Sequence, residues 1–234
     1  MKVVENKNEK VSAIVLSAGK GKRMNSVISK QYLEIHGKPI IYYTLKAFQE
    51  SNVDEIILVA GKEDIDYVQK EIVDKYNIDK VKKIVVGGKE RYDSVISGLK
   101  HLEENGKVLI HDGARPLIKP EQINDIIVCV KECGACIAGM PVKDTVKIIN
   151  DDNNVESTPE RKYVWQIQTP QAFDVSIINE AYKKMKVAGD TTITDDAMAV
   201  EKYTDISIKV IETSYENIKV TTPEDLLFVR ESLV

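Results

Sequence analysis

From Val11 onward, short apolar runs alternate with stretches whose apolar positions recur at helical spacing, and this alternation admits few architectures. An opening strand begins at Val11, and further strands read at 54–60, 81–86, 107–111 and 135–142. Helical patterns fill 38–51, 63–76, 92–104 and 120–133, each joined by a short polar link. Pro39 suits a first helical turn, with Ile40, Tyr43, Leu45 and Phe48 as inward residues. Strands that alternate with helices make right-handed crossovers and build a mostly parallel twisted sheet covered on both faces. The expectation is a Rossmann-like α/β fold, a single domain over 1–234, with ligands at the carboxyl ends of the strands.

The first strand ends in Ala18-Gly19-Lys20-Gly21, followed by Lys22, Arg23 and Lys30. Glycines let backbone N–H groups approach a phosphate chain, and the cations neutralise it, so the loop reads as a seat for a nucleoside triphosphate. It matches neither G-x-x-x-x-G-K-[ST] nor the three-glycine dinucleotide pattern, and a bare strand-to-helix turn explains it equally well. The strand at 81–86 runs into Gly87-Gly88-Lys89-Glu90-Arg91, with Ser94 in the next helical turn: exposed backbone and a hydroxyl suited to the edge of a base. The strand at 107–111 runs into Asp112-Gly113-Ala114-Arg115. There the carboxylate suits a metal or hydroxyl-bearing ligand and the guanidinium a phosphate, unless the two simply staple a turn.

Beyond 141 the alternation fails. Two extended patterns, near 145–149 and 162–168, flank the turn-rich Asp151-Asp152-Asn153-Asn154 and read as a β-arm at about 141–168. Val146, Ile148, Val164, Trp165 and Ile167 give the arm an apolar side that needs a surface to cover it, either its own domain or a second copy of the chain. A helix at 174–187 follows, then one starting at Thr194-Asp195-Asp196-Ala197 with Thr194 as its cap, and a strand at 207–211. Last comes a short strand through Lys219 into a helix capped by Thr222, with Pro223 in its first turn.

A net charge of -4 with 30% charged residues argues against a bulk nucleic-acid binder. No run is long and apolar enough to span a membrane, and the polar opening residues lack a signal-peptide core. Cys129, Cys133 and Cys136 resemble half a metal site with no second cluster to complete it. They read as reduced, packed thiols of a cytoplasmic protein.

Taken in order, SAGKGKRM, KQY, GGKERYDSV, HDGARPL, PVKDT, R-x-x-x-W-x-x-QTPQ-F, TDDA and NIKVTTPEDL resemble the 2-C-methyl-D-erythritol 4-phosphate cytidylyltransferase family across nearly the whole chain from Val11. The resemblance implies a nucleotidyltransferase fold and a homodimer that exchanges its β-arms. The implied reaction uses CTP and Mg²⁺, the ion held mainly by CTP phosphates with Asp112 as a candidate ligand. It further implies Arg23 and Lys30 as stabilisers of the transition state, and Arg161 and Lys219 as residues placing the substrate phosphate. Ala18, Gly19, Gly88 and Ser94 would hold CTP; Asp112, Arg115, Thr145, Thr169 and Thr194 would face methylerythritol phosphate. Ribitol-5-phosphate cytidylyltransferases are similar, but they usually carry a second glycine where this chain has Ser17-Ala18. A non-catalytic nucleotide-binding module would not need Arg23, Lys30, Arg161 and Lys219 together, and a dimerisation module would not need cation-lined strand ends.

Overall fold

The computed structural model describes residues 9–19 and 29–233. The strands are β1 (Val11–Ser17), β2 (Glu34–Ile35), β3 (Lys38–Pro39), β4 (Glu55–Ala60), β5 (Val81–Val86), β6 (Lys107–Asp112), β7 (Ala135–Pro141), β8 (Ile148–Ile149), β9 (Val155–Ser157), β10 (Trp165–Asp174) and β11 (Lys209–Glu212). The helices are α1 (Ile40–Glu50), α2 (Ile65–Tyr67), α3 (Arg91–Leu99), α4 (Pro120–Cys133), α5 (Val175–Ala188), α6 (Asp196–Tyr203) and α7 (Pro223–Ser232). Seven strands form the main sheet in the order β11-β7-β10-β6-β1-β4-β5, all parallel except β10, which runs against both β6 and β7.

Burial follows the pleat. Val11, Ala13 and Val15 of β1 face a core built with Leu45 and Phe48 of α1, Ile72, and Ile126 of α4, while Ile14 faces the opposite core with Val95 of α3, Ile178 of α5 and Val200 of α6. Both faces of the sheet are therefore covered, which is why β4 and β6 are buried at every residue. A third, smaller cluster joins Ile35 and Ile40 to Leu117, Val220 and Val229. It seats α7 against the β2–β3 hairpin, with His36 Nε2 2.8 Å from the Arg230 carbonyl.

The elements depart from the sequence reading where local signals overlap. The helix expected from residue 38 is preceded by the hairpin, whose turn places His36 and Gly37 at positive φ of 50° and 72°. The helix expected at 63–76 is a 3₁₀ turn (Lys62–Asp64), α2, and a π-helical stretch (Val68–Asp74), whose wider turn puts both Ile72 and Val73 inside. The segment through Lys219 is extended but unpaired as a strand; its Val220 N–H donates to the Ala114 carbonyl at 2.8 Å. Asp195, not Thr194, caps α6: its carboxylate accepts the Met198 N–H at 2.9 Å.

The arm is also revised. Ile148 and Ile149 pair not with 162–168 but with Val155–Ser157, around a tip where the Asn150 side chain accepts the N–H groups of Asp152 and Asn154. Trp165 and Ile167 instead belong to the main sheet, opposite Pro141 and Gly139. The three-residue β9 is too short to show a period of two, whereas Trp165 and Ile167 of β10 alternate with glutamines and read as an extended segment. Ile148, Ile149 and Val155 are about half exposed on the arm, at 47%, 53% and 60%.

Gly113 ties the end of β6 to β1. Its N–H donates to the Leu16 carbonyl at 2.8 Å, and a Cβ there would stand 2.8 Å from that same oxygen. Gly113→Ala is therefore expected to cost about 1–3 kcal/mol through a forced backbone shift. A lower urea midpoint at unchanged slope would show it; an unchanged midpoint would mean that the strand ends are not in close contact.

Candidate active site

The carboxyl ends of β1, β5 and β6 surround a cavity of about 390 Å³. Ala18, Gly19, Lys30, Gly88, Ser94, Asp112, Lys219 and Thr221 are among its lining residues, drawn from segments far apart in the sequence. Close approach explains the glycines at its rim. A Cβ on Gly87 would lie 2.3 Å from the Ala18 Cβ, and one on Gly88 would lie 2.2 Å from the Asp93 Cβ. The Gly88 N–H donates to the Ser94 hydroxyl at 3.1 Å, and that hydroxyl lies 3.3 Å from the Glu90 carbonyl. At the end of β1 the Gln31 amide donates to the carbonyls of Ser17 and Gly19, the latter at 3.2 Å, and so holds the start of the glycine loop.

Asp112 is the electrostatic hub. It is 7% exposed, with Lys219 Nζ 2.9 Å from one oxygen, Arg91 Nε 3.4 Å from the other, and Arg115 Nε 3.7 Å away. Burial alone would raise its pKa, but the three cations outweigh that and hold it far below the usual carboxylate range. Arg91 also pairs with the fully buried Asp196 at 2.8 Å, which links the cavity to the start of α6. Gln171 accepts the backbone N–H groups of Asp196 and Ala197 and donates to Asp195, so β10 orients that helix as well. Lys30 Nζ donates to the Val220 carbonyl at 2.7 Å, next to Lys219 and Thr221. The tie sets the two lysines in a common frame.

The other expected residues divide by location. Arg23, with Lys20 and Lys22, lies outside the described residues. Arg115 does not line the cavity; its Nη1 donates to the Asn217 carbonyl at 2.8 Å, so it braces the 217–220 segment rather than facing open space. Thr169 is buried behind Asp112 and accepts its N–H at 3.1 Å, replacing a ladder bond where the β10 register shifts. Thr194 is exposed, its hydroxyl 3.5 Å from the Met198 sulfur. Thr145 and Arg161 sit on the arm; Arg161 opens a 3₁₀ turn and donates to the Lys143 carbonyl at 3.1 Å. Neither lines the cavity of the same chain.

Arg91, Gln31 and Thr221 stand in GGKER, KQY and TTPEDL, but nothing in the local pattern sets them apart from their neighbours. Asp112 does not fit the part of a dedicated Mg²⁺ ligand, since both its oxygens already face cations. Among the described residues no group of carboxylates converges to hold such an ion.

A glycine-rimmed, cation-lined cavity at the carboxyl ends of a mostly parallel sheet defines a nucleotide-binding α/β protein, with the equipment of a nucleotidyltransferase. The family model for 2-C-methyl-D-erythritol 4-phosphate cytidylyltransferase matches residues 11–233, and the chain belongs to that family. It is 51% identical over 225 residues to the 2-C-methyl-D-erythritol 4-phosphate cytidylyltransferase of Lachnoclostridium phytofermentans, covering 96% of this chain and 97% of the relative. To that of Alkaliphilus oremlandii it is 48% identical over 226 residues, covering 96% and 95%. The crystal structure of the 4-diphosphocytidyl-2C-methyl-D-erythritol synthase of Anaerococcus prevotii superposes with a TM-score of 0.84 at 38% identity, covering 96% of each chain. That of the Francisella tularensis cytidylyltransferase gives 0.78 at 28%, covering 95% of this chain and 99% of that one.

His111, immediately before the hub, carries a pH signature. Thr169 accepts the Asp112 N–H, so its own hydroxyl proton turns to His111 Nδ1 at 3.0 Å, leaving Nε2–H for the Arg115 carbonyl at 3.4 Å. Burial, with a smaller push from Arg115, lowers this ring's pKa to about 3 against the opposing pull of Asp112. The unfolded chain protonates the ring near 6.5 and the folded one only near 3. The native state is therefore at full advantage above pH 6.5 and loses up to about 1.4 kcal/mol per pH unit as pH falls toward 3. Urea midpoints should drop between pH 7 and pH 4.5 and should drop less in His111→Asn. Equal slopes in the two proteins would remove His111 as the cause.

Proposed function

We propose that this chain transfers CMP from CTP to 2-C-methyl-D-erythritol 4-phosphate, releasing pyrophosphate and giving 4-diphosphocytidyl-2-C-methyl-D-erythritol, a step of non-mevalonate isoprenoid biosynthesis. The observation that carries the reading is the convergence of the Ala18-Gly19 backbone, the Gly88-Ser94 turn, Lys30 and Lys219 on one cavity. Cytosine stands toward Gly88 and Ser94, where main-chain and hydroxyl groups are fixed by the 87–94 turn. The triphosphate lies along Ala18 and Gly19, with Lys30, and with Arg23 beside it in the sequence.

The chemistry calls for positioning more than proton transfer. The attacking phosphate is already ionised near neutral pH, and the obstacle is charge repulsion at the α-phosphorus. Lys30, steadied by the Val220 carbonyl, and Arg23 offset the charge that builds there. The Lys219 ammonium, oriented by Asp112 at 2.9 Å, receives the attacking phosphate. Charge on the CTP phosphates would be neutralised by a Mg²⁺ ion bound to them, since among the described residues no carboxylate cluster would hold the ion. Arg161 and Thr145 serve the neighbouring subunit: the arm carries them away from their own cavity with its apolar residues exposed, as a strand pair does that packs on a second copy of the chain.

Pyrophosphate release from CTP and Mg²⁺, with methylerythritol phosphate and ribitol 5-phosphate offered separately, tests the substrate. Turnover with the first alone is expected, and preference for the second would transfer the chain to the other reading. Mixing Lys30→Ala with Arg161→Ala chains tests the arm, since one site of each mixed dimer would be whole and the other doubly damaged. Random pairing should restore about a quarter of wild-type activity. Absence of recovery in dimers verified as mixed by two tags would show that Arg161 acts in its own subunit.

A further inference from the structure

At the end of the sheet opposite the cavity, three thiols converge. β6 and β7 run the same way, so Cys136 at the start of β7 lies across the sheet from Asp112 at the end of β6. Cys129 and Cys133 occupy the last turns of α4, four residues apart and so on one face of the helix. Gly134, at φ +75°, then reverses the chain and brings Cys136 back against that face. The three sulfurs all lie within 4.8 Å of one another, and Cys129 and Cys133 are 3.8 Å apart. A tetrahedral zinc site with Zn–S bonds of about 2.3 Å sets its sulfurs about 3.8 Å apart, so the cluster is near that spacing. No other His, Cys, Asp or Glu group among the described residues brings three donor atoms together in this way.

The surroundings suit a cation. The carboxyl end of α4 carries the negative end of the helix dipole, and the Cys133 thiol lies 3.0 Å from the Cys129 carbonyl and 3.2 Å from that of Ala135. The Cys136 thiol reaches the Ile126 carbonyl at 3.6 Å. These contacts satisfy protonated thiols, and metal binding would release the protons to solvent as S–metal bonds form. Three thiolates around a divalent ion leave one net negative charge. Lys209, paired in register with Cys136 on the adjoining β11, is placed to offset it, which favours a divalent over a monovalent soft ion. Cys129 and Cys136 are buried and Cys133 is exposed, so the open coordination position faces solvent on the Cys133 side.

We propose that Cys129, Cys133 and Cys136 form a trithiolate site for one zinc-class divalent cation, completed by water, which clamps the end of α4 to the start of β7. The sequence alone argued for packed thiols because the spacing lacks a second ligand pair; the fold adds convergence of the three sulfurs and a compensating lysine. The site stands across the sheet from the cavity, so it should govern stability rather than transfer chemistry.

Cd²⁺ added to the reduced, metal-free full-length protein is the direct probe, because its thiolate complexes absorb by charge transfer. One equivalent should saturate an absorbance equivalent to three thiolates, and Zn²⁺ in large excess should compete for the site and raise the Cd²⁺ concentration needed, since thiolates prefer the softer ion. Cys133→Ser, at a surface position that spares the fold, should cut the absorbance by about a third and weaken affinity by more than the roughly 10- to 100-fold lost with an outer-shell partner. Zn²⁺ should raise the melting temperature of the wild type more than that of the variant, with cytidylyl transfer unchanged by the substitution. No charge-transfer band, or a band and affinity unaltered by Cys133→Ser, would overturn the proposal. Cys136→Ala, checked by circular dichroism for native helix content, provides a second variant with the same expected loss.

Discussion

The buried carboxylate of Asp112 is the contact on which the cavity depends. A charge taken out of water is costly unless paired, and here the pairing recruits Lys219 and Arg91 from two distant places in the chain and Arg115 from the same turn. Each cation brings its own segment. Arg115 secures the 217–220 strand-like stretch through the Asn217 carbonyl, Arg91 reaches Asp196 at the head of α6, and Lys219 is left at the cavity wall. The acid thus works as an organiser of cations at the wall of the cavity. Removing the carboxylate would set three positive groups against one another in a partly dry space, so its contribution to the site cannot be separated from its contribution to the fold.

The same economy of position explains why β10 runs backwards. An antiparallel strand inserted between β6 and β7 brings Thr169 and Gln171 beside Asp112 and Asp196, where they satisfy a backbone N–H of β6 and the first turn of α6. The register shift between Ile167 and Gln171 is where this happens: the ladder opens and side chains take over the hydrogen bonding. His111 belongs to this layer too, its ring tilted against Phe48 with centroids 5.1 Å apart and kept neutral by burial, which outweighs the pull of Asp112. Polar groups behind the cavity are consequently joined in one network in which each partner fixes the next.

Much of the architecture was legible from the residues because period and punctuation reinforce each other. The α4 and β5 limits, the Thr222-Pro223 start of α7, and the mostly parallel sheet follow from amphipathic spacing, proline and cap chemistry, which act within a few residues. The arm departs from the sequence reading where two signals compete: the alternation at Trp165 and Ile167 suits a second strand of the arm, yet their strand partners are in β7. Thr194 and Asp195 both suit an N-cap, and only backbone geometry selects the aspartate.

For the site, the sequence by itself determined the chemical inventory: glycines at two strand ends, an Asp-Gly-Ala-Arg turn, cations after the first strand and near the carboxyl terminus, and a motif order that already resembles one family. These are local facts, carried by residue type and spacing. Tertiary structure alone decided which of them meet. It seated Lys30 on the Val220 carbonyl, turned Arg115 toward Asn217, buried Thr169 behind Asp112, and gathered three cysteines where the end of α4 meets the start of β7. The reason is physical: such contacts are chosen by strand order, register and the pairing of buried charge, which couple residues as many as 190 positions apart and leave no periodic trace along the chain.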